Sequence, residues 1–362
     1  MAIRVLLIAP SMDILGGQAV QAKTLIGQIH TLADLRMDFL PINPRLPGPL
    51  RQLQRFKYVR TVATWVWYIP LLLGKAMWCD VVHIFSAGLT SFSLWTIPAA
   101  LVSRLYGKKL IIHYHDGQLE EHLARFRSVR PVLALAHTII TPSGFLTDVF
   151  ARHGIHARPI LNSLEMDLFR YRPRRKLRPV FMTNRILEPL YNVECILRAF
   201  AIVQRRYPEA ELTIAHDGIC RPALEQYAAS LQLNNTRFVG RIPHDQVASL
   251  YDAADIYLTS PNFDCMPGSI LECYASGLPI VATKAGGIPY IAFDEETALL
   301  VDLNDHEAMA ARCFRLLENE DLVVRLTNRA RQELVKYKPE TVRDEWAALY
   351  RELAGPPTER GL

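Results

Sequence analysis

The sequence predicts an α/β protein of two Rossmann-like, doubly wound domains, each built on a parallel sheet. Three observations carry this. Short, β-branched apolar runs alternate along the chain with stretches of helical periodicity, the rhythm of βαβ units. At 362 residues the chain is long enough for two domains. Near the middle, "FRYRPRRKLRP" (169–179) is rich in Pro and Arg and reads as a linker. The expected domains are residues 1–170 and 175–338, with a terminal helix, 339–355, packing back on the first.

The elements follow in order. "RVLLIA" (4–9) reads as a buried first strand. The apolar N-terminal run is too short for a signal peptide and leads straight into a loop. That loop carries Gly16-Gly17, where glycine permits close backbone approach. "RFKYVRTVATWVWYIPLLLGKAMW" (55–78) has an apolar core interrupted by Pro70. It falls short of the roughly 20 residues a spanning helix needs. Two readings stand: a helix packed in the first domain, or a monotopic surface helix. The second would set Trp65, Trp67 and Tyr68 at headgroup level and Arg51, Arg55, Lys57 and Arg60 on anionic lipid. Strands "VVHIF" (81–85), "KLIIHYH" (109–115) and "TIITPS" (138–143) complete the first set. The second comprises "PVFMT" (179–183), "ELTIAH" (211–216), "DIYLTS" (255–260) and "PIVAT" (279–283). "PETVRDEWAALYRELAG" (339–355) is amphipathic, with Trp346, Leu349, Tyr350 and Leu353 on one side.

Half the residues are hydrophobic and 21% are charged, a globular composition with ample core. Residues 1–170 hold 18 Lys+Arg against 10 Asp+Glu, and the remainder 23 against 26. The basic half implies an anionic partner, such as a membrane surface or a phosphate-bearing acceptor. The dense basic and aromatic signature of a nucleic-acid binder is missing, so nucleic acid is not an expected partner. Six cysteines, at 79, 195, 220, 265, 273 and 313, form no CxxC or other ligand spacing. They read as reduced thiols of a cytoplasmic protein. His113 and His115 share a strand face, with Asp116, Glu120 and His122 nearby. Their spacing fits no strong metal template, and no metal is expected.

The chemistry concentrates in "SPNFDCMPGSILECYASGLPIVAT" (260–283). A strand ends at Ser260, Pro267 is suited to the first helical position, and Gly277 ends the helix. The amides of Gly268, Ser269 and Ile270 would then face an anion, phosphate by preference. Asp264 and Glu272 could accept paired hydrogen bonds from sugar and ribose hydroxyls.

This stretch resembles the signature of family-4 retaining glycosyltransferases of the GT-B fold, in which an acid, seven residues and a Glu precede a Pro-containing strand and a Gly-Gly loop. Here those are Asp264, Glu272, "ASGLPIVAT" and Gly286-Gly287. The resemblance covers nearly the whole chain, through "LLIAPSMDILGGQAVQA", "LIIHYHDG", "PILNSLEMDLFRYRP" and "ELTIAHDGICRPALEQYAASLQLNNTRFVGRIP". It implies two domains facing across a cleft and metal-free sugar transfer with retention. The donor would be a UDP- or GDP-linked sugar and the acceptor a glycan, a polysaccharide or a lipid-linked molecule. No cofactor is implied. Arg185, the amides at 268–270 and those of Gly16-Gly17 would meet the departing diphosphate. Glu272 would hold the donor ribose and Asp264 the transferred sugar, with His115 near sugar and acceptor. The family's Lys-Gly after that Arg is here Tyr191-Asn192, so a weaker donor, Tyr191 or Asn192, stands where an ammonium is usual. A second departure is Tyr290 in place of an acid after the second Gly-Gly loop. The missing lysine keeps open a catalytically silent glycosyltransferase-like binding protein, and the fold a nucleotide-sugar epimerase. A nicotinamide dehydrogenase fits poorly, since the first strand lacks GxGxxG. The expected location is the cytoplasm, with peripheral contact at the membrane face.

Overall fold

The computed structural model describes residues 2–12, 17–44, 56–243 and 246–355, apart from the side chains of Lys57 and Tyr58. Gly16, Arg51 and Arg55, singled out above, lie outside the described residues. The chain divides into two compact units: Met1–Ser163 with Pro339–Leu362, and Leu164–Lys338.

The first unit holds a six-stranded sheet of β1 (Ile3–Ala9), β2 (Leu35–Pro41), β3 (Val81–Ser86), β4 (Lys109–Tyr114), β5 (Thr138–Thr141) and β6 (Arg158–Pro159). Their order is β2-β1-β3-β4-β5-β6, and every pairing is parallel. Side chains alternate across the sheet. Leu6, Ile8, Val82, Ile84, Leu110 and Ile112 face one way, against Tyr68, Leu72 and Ala76 of the Lys57–Trp78 helix and Ala99 and Val102 of the Ile97–Leu105 helix. Val5, Leu7, Phe85 and Ile111 face the other, against Leu25 and Ile29 of the Gly17–Ile29 helix and Trp346, Leu349 and Tyr350 of the Pro339–Ala354 helix. Helices on both faces explain why these strands read as continuous apolar runs.

The second unit holds β7 (Val180–Thr183), β8 (Glu211–Ala215), β9 (Thr236–Gly240), β10 (Ile256–Thr259), β11 (Ile280–Thr283) and β12 (Leu299–Val301). The order is β12-β11-β10-β7-β8-β9, again parallel. This is the doubly wound arrangement whose connections reverse between its first and fourth strands, here β7 and β10. The four strands that no apolar run announced, β2, β6, β9 and β12, all lie at sheet edges.

Two expectations are corrected. Residues 169–179 are no free linker but part of the second unit, and the chain crosses between units at Ser163–Leu164. Arg174 is 4% exposed, and its guanidinium donates to the carbonyls of Ser276 (2.6 Å), Tyr251 (2.7 Å) and Ala254 (2.8 Å). Buried Asp255 gathers Arg172 at 2.6 Å and Arg178 at 2.9 Å. Arg170, Arg175 and Arg178 are exposed, as composition suggests, but Arg174 is buried, and acceptors of the second unit hold Arg172, Arg174 and Arg178. Second, Tyr68 lies in the core of the first unit and not on an outward face. No helix among the described residues is long and apolar enough to cross a membrane.

Candidate functional site

Ligands of doubly wound sheets sit outside the carboxyl ends of the strands, where the winding reverses. In the second unit that place is between β7 and β10. Asn184 and Arg185 follow β7 directly, and the loop carrying Asp264 follows β10. The Gly268–Ser276 helix comes next. Its N-cap is Pro267 (φ −69°, ψ 114°), so Gly268, not Pro267, opens the helix. The Ile270 amide donates to the Pro267 carbonyl at 3.2 Å and is not free as expected. Among the described residues, the amides of Gly268 and Ser269 make no hydrogen bond. Gly277 ends the helix in the left-handed region (φ +65°), where a Cβ would fall 2.6 Å from the Arg172 carbonyl.

The helix start is not bare. Arg185 donates to Ser269 Oγ at 3.3 Å and forms an ion pair with Asp264. The Tyr191 ring lies 4.4 Å from the guanidinium. The resemblance put Arg185 and Asp264 on different parts of a donor; here they meet. A guanidinium only 13% exposed needs a countercharge. Burial works against the charge of Arg185, but the Asp264 carboxylate together with the neighbouring Tyr257, Tyr191 and Tyr251 outweighs it, and the pKa lies above the ordinary value. Asp264 Oδ1 also accepts from the Met266 amide at 3.2 Å. Gly286 (φ +52°) and Gly287 support this loop from behind. A Cβ on Gly287 would fall 1.9 Å from the Cys265 carbonyl, and the Gly287 amide donates to the Asp264 carbonyl at 2.7 Å.

Glu272 is half-buried one helical turn into the helix. Its Oε2 accepts from the Tyr251 hydroxyl. Asn184 Nδ2 donates to Tyr251 Oη at 2.7 Å, and the Tyr257 hydroxyl donates to Asn184 Oδ1 at 2.8 Å. Burial, then the Glu272 charge, pushes the Tyr251 phenol well above its usual range, so it stays a donor. Sequence reasoning missed Tyr251, Asn184 and Tyr257. The available signal was Tyr257 inside the apolar run 255–260, since a buried hydroxyl must find a partner. Asn192 adopts the left-handed conformation (φ +45°). Glycine favours that region and asparagine tolerates it.

In the first unit, Gly17 opens its helix, and a Cβ there would meet nothing within 4 Å. The protein's own packing does not demand glycine at this point. His115 follows β4 with Nε2 buried and unpaired; burial pushes its pKa down to about 3. Its ring lies 3.9 Å from that of His113, and His113 lies 5.5 Å from His83 on β3. His122 turns elsewhere, its Nδ1 2.8 Å from the Tyr114 hydroxyl. Asp116 accepts from the amides of Gly88 and Gln118, each at 2.9 Å. No group of three or more metal-ligating side chains occurs among the described residues.

The fold and its strand reversal define the class: a two-domain, Rossmann-like GT-B protein. The structure is similar to the Anabaena protein HepE in complex with UDP and glucose, with a TM-score of 0.72 and 18% identity over 96% of this chain and 99% of that one. Sucrose-phosphate synthase from Thermosynechococcus elongatus gives a TM-score of 0.75 and 18% identity, over 97% and 99%. Residues 169–333 match the family of glycosyl transferases group 1, and this segment is a domain of that family. The chain is also 29% identical over 181 residues to D-inositol 3-phosphate glycosyltransferase of Corynebacterium urealyticum, 48% of this chain and 43% of the relative. The chain spans less than half the length of the curated relatives first matched, between 37% and 43%.

Proposed function

We propose that the protein is a retaining, metal-independent glycosyltransferase. It moves a sugar from a UDP- or GDP-linked donor to a glycan, polysaccharide or lipid-linked acceptor. The observation that carries this reading is the convergence, at the strand reversal of a group 1 domain, of Arg185, the Gly268 and Ser269 amides and Glu272. HepE, which shares the fold, was captured with UDP and glucose, in support of a nucleotide-sugar donor.

When the bond from the anomeric carbon to the diphosphate breaks, negative charge grows on the leaving oxygen. Fixed donors stabilise that charge where no metal does so. Arg185 supplies the charge, Tyr191 holds its guanidinium from one side, and the two amides add the positive end of a helix dipole. Glu272, oriented by Tyr251, accepts from the ribose diol. Asp264 faces the transferred sugar while keeping Arg185 in place. Gly16-Gly17 keep the role toward the diphosphate that the resemblance implies, and the packing around Gly17 leaves that position unconstrained. His115, neutral at working pH, contacts sugar or acceptor.

Glu272→Gln in a nucleotide-sugar panel tests the reading. Transfer should fall by about 10²-fold in kcat/KM; a near-normal rate removes the role of Glu272, and an inverted product overturns retention. Nucleotide binding with neither transfer nor donor hydrolysis would instead favour a silent binding protein, the reading that Tyr191 in the lysine's place keeps in play.

A further inference from the structure

We propose that the outward face of the Lys57–Trp78 helix, with the neighbouring Ile97–Leu105 helix, docks on an anionic lipid surface. A helix that is apolar all round is normally buried all round. This one is buried on one side only. Thr64, Tyr68, Leu72 and Ala76, four residues apart, face the core. Val59, Val62, Val66 and Met77 run along the opposite side, with Val62 65% and Val66 64% exposed. Trp65, Trp67 and Trp78 flank that stripe, all exposed. The second helix adds Leu101 and Leu105, the latter 72% exposed. Of the nineteen exposed large apolar residues among those described, ten lie between Phe56 and Leu105, so the patch is local to these two helices. Lys108 Nζ donates to the Met77 carbonyl at 3.0 Å, joining the end of the first helix to the segment that follows the second.

Charge selects the occupant. Residues 56–105, which carry the patch, contain four Lys+Arg and one acid, Asp80. Arg4 holds that acid through its amide at 2.9 Å and its guanidinium at 3.5 Å. Lys75 is engaged by Asp38 at 2.6 Å. Arg60 and Arg104 are exposed and make no ion pair among the described residues. An isologous contact between two copies would set this basic face against itself, which like charges oppose. A surface of anionic headgroups over hydrocarbon matches both features: the valine stripe enters the acyl boundary, the tryptophans sit at its margin and the arginines meet the headgroups. The helix would lie in the interface plane without crossing it. The face excludes Tyr68, which sequence alone placed on it, and includes Met77, Trp78, Leu101 and Leu105, which sequence alone did not.

Sedimentation with phosphatidylcholine vesicles, with and without phosphatidylglycerol, tests this. The wild-type chain should sediment with the anionic vesicles and only weakly with the neutral ones, and raised salt should release it. The double variant Val62→Glu/Val66→Glu should weaken partitioning at least about ten-fold. Arg60→Glu/Arg104→Glu should abolish the preference for phosphatidylglycerol. Both pairs are exposed, so melting temperature and nucleotide binding should hold. These last readouts separate the surface from the proposed catalytic site, on which it does not rest. No binding to anionic vesicles, or binding that neither variant weakens, overturns the proposal. So does a dimer in sedimentation velocity that Val62→Glu/Val66→Glu dissociates, since a second copy would then cover the face.

Discussion

Glu272 is oriented before any ligand arrives. Its carboxylate ends a directed chain, Tyr257 to Asn184 to Tyr251 to Glu272, in which each group donates to the next. The phenols are buried and their pKa values raised by burial, so each remains a donor at neutral pH. Tyr251→Phe removes the hydroxyl that donates to the Glu272 carboxylate and so weakens its orientation. A hydrogen bond to a charged group contributes about 1.5–3 kcal/mol. In steady-state kinetics the variant should therefore raise the donor KM about ten-fold or more while kcat changes less. A kcat loss at unchanged KM would mean that Tyr251 does not position Glu272. Tyr191 illustrates a limit of reading by motif. The resemblance implied a lysine that the sequence lacks; the fold shows the Tyr191 ring against Arg185.

At the scale of elements, Asp255 fastens the entry to the second unit. It is 2% exposed at the start of β10 and binds Arg172 and Arg178, while Arg174 threads to three carbonyls beside it. Burial lowers the Arg174 pKa to about 10, still a cation at neutral pH. Asp255→Ala would leave the buried Arg174 guanidinium, 3.6 Å away, without its countercharge, and breaking a buried pair costs about 3–5 kcal/mol. Urea unfolding of the variant should show a loss of that size; under about 1 kcal/mol would mean that solvent screens the cluster. The central strands were legible as apolar runs because both faces are covered. Edge strand β2 alternates buried and exposed residues, and β12 has three residues, so neither produced a run. The 169–179 segment was misread for the opposite reason: Pro and Arg usually mark free chain, and the acceptors that fasten Arg172, Arg174 and Arg178 are far away in sequence.

At the scale of the whole molecule, the C-terminal helix closes the first unit over stacked histidines. Trp346 lies 4.4 Å from His83, and His83 Nδ1 is 2.8 Å from the Tyr350 hydroxyl. Burial, then the neighbouring histidine charges, holds the pKa values of His83 and His113 well below 6.5, and burial brings His115 to about 3. All three are neutral when folded at physiological pH, whereas the unfolded chain binds protons below pH 6.5. Their contribution is thus fully present above pH 6.5 and is lost as pH falls toward the native values, for His115 toward about 3. Each histidine adds up to about 1.4 kcal/mol per pH unit in that window. Calorimetry should show the melting temperature falling from about pH 6.5 downward, with a shallower slope in His113→Phe; an unchanged slope would mean these rings are hydrated. The sequence by itself determined two parallel-sheet domains, the strand-loop-helix that carries Asp264 and Glu272, and the amphipathic terminal helix. Periodicity, glycine placement and acid spacing are local properties and survive in one dimension. The tertiary structure decided that Arg185 pairs with Asp264, that Tyr251 orients Glu272, that Arg174 of the arginine-rich segment is buried and which face of the Lys57–Trp78 helix looks outward. Those outcomes depend on which residues, distant along the chain, share a low-dielectric interior, and no local pattern encodes that.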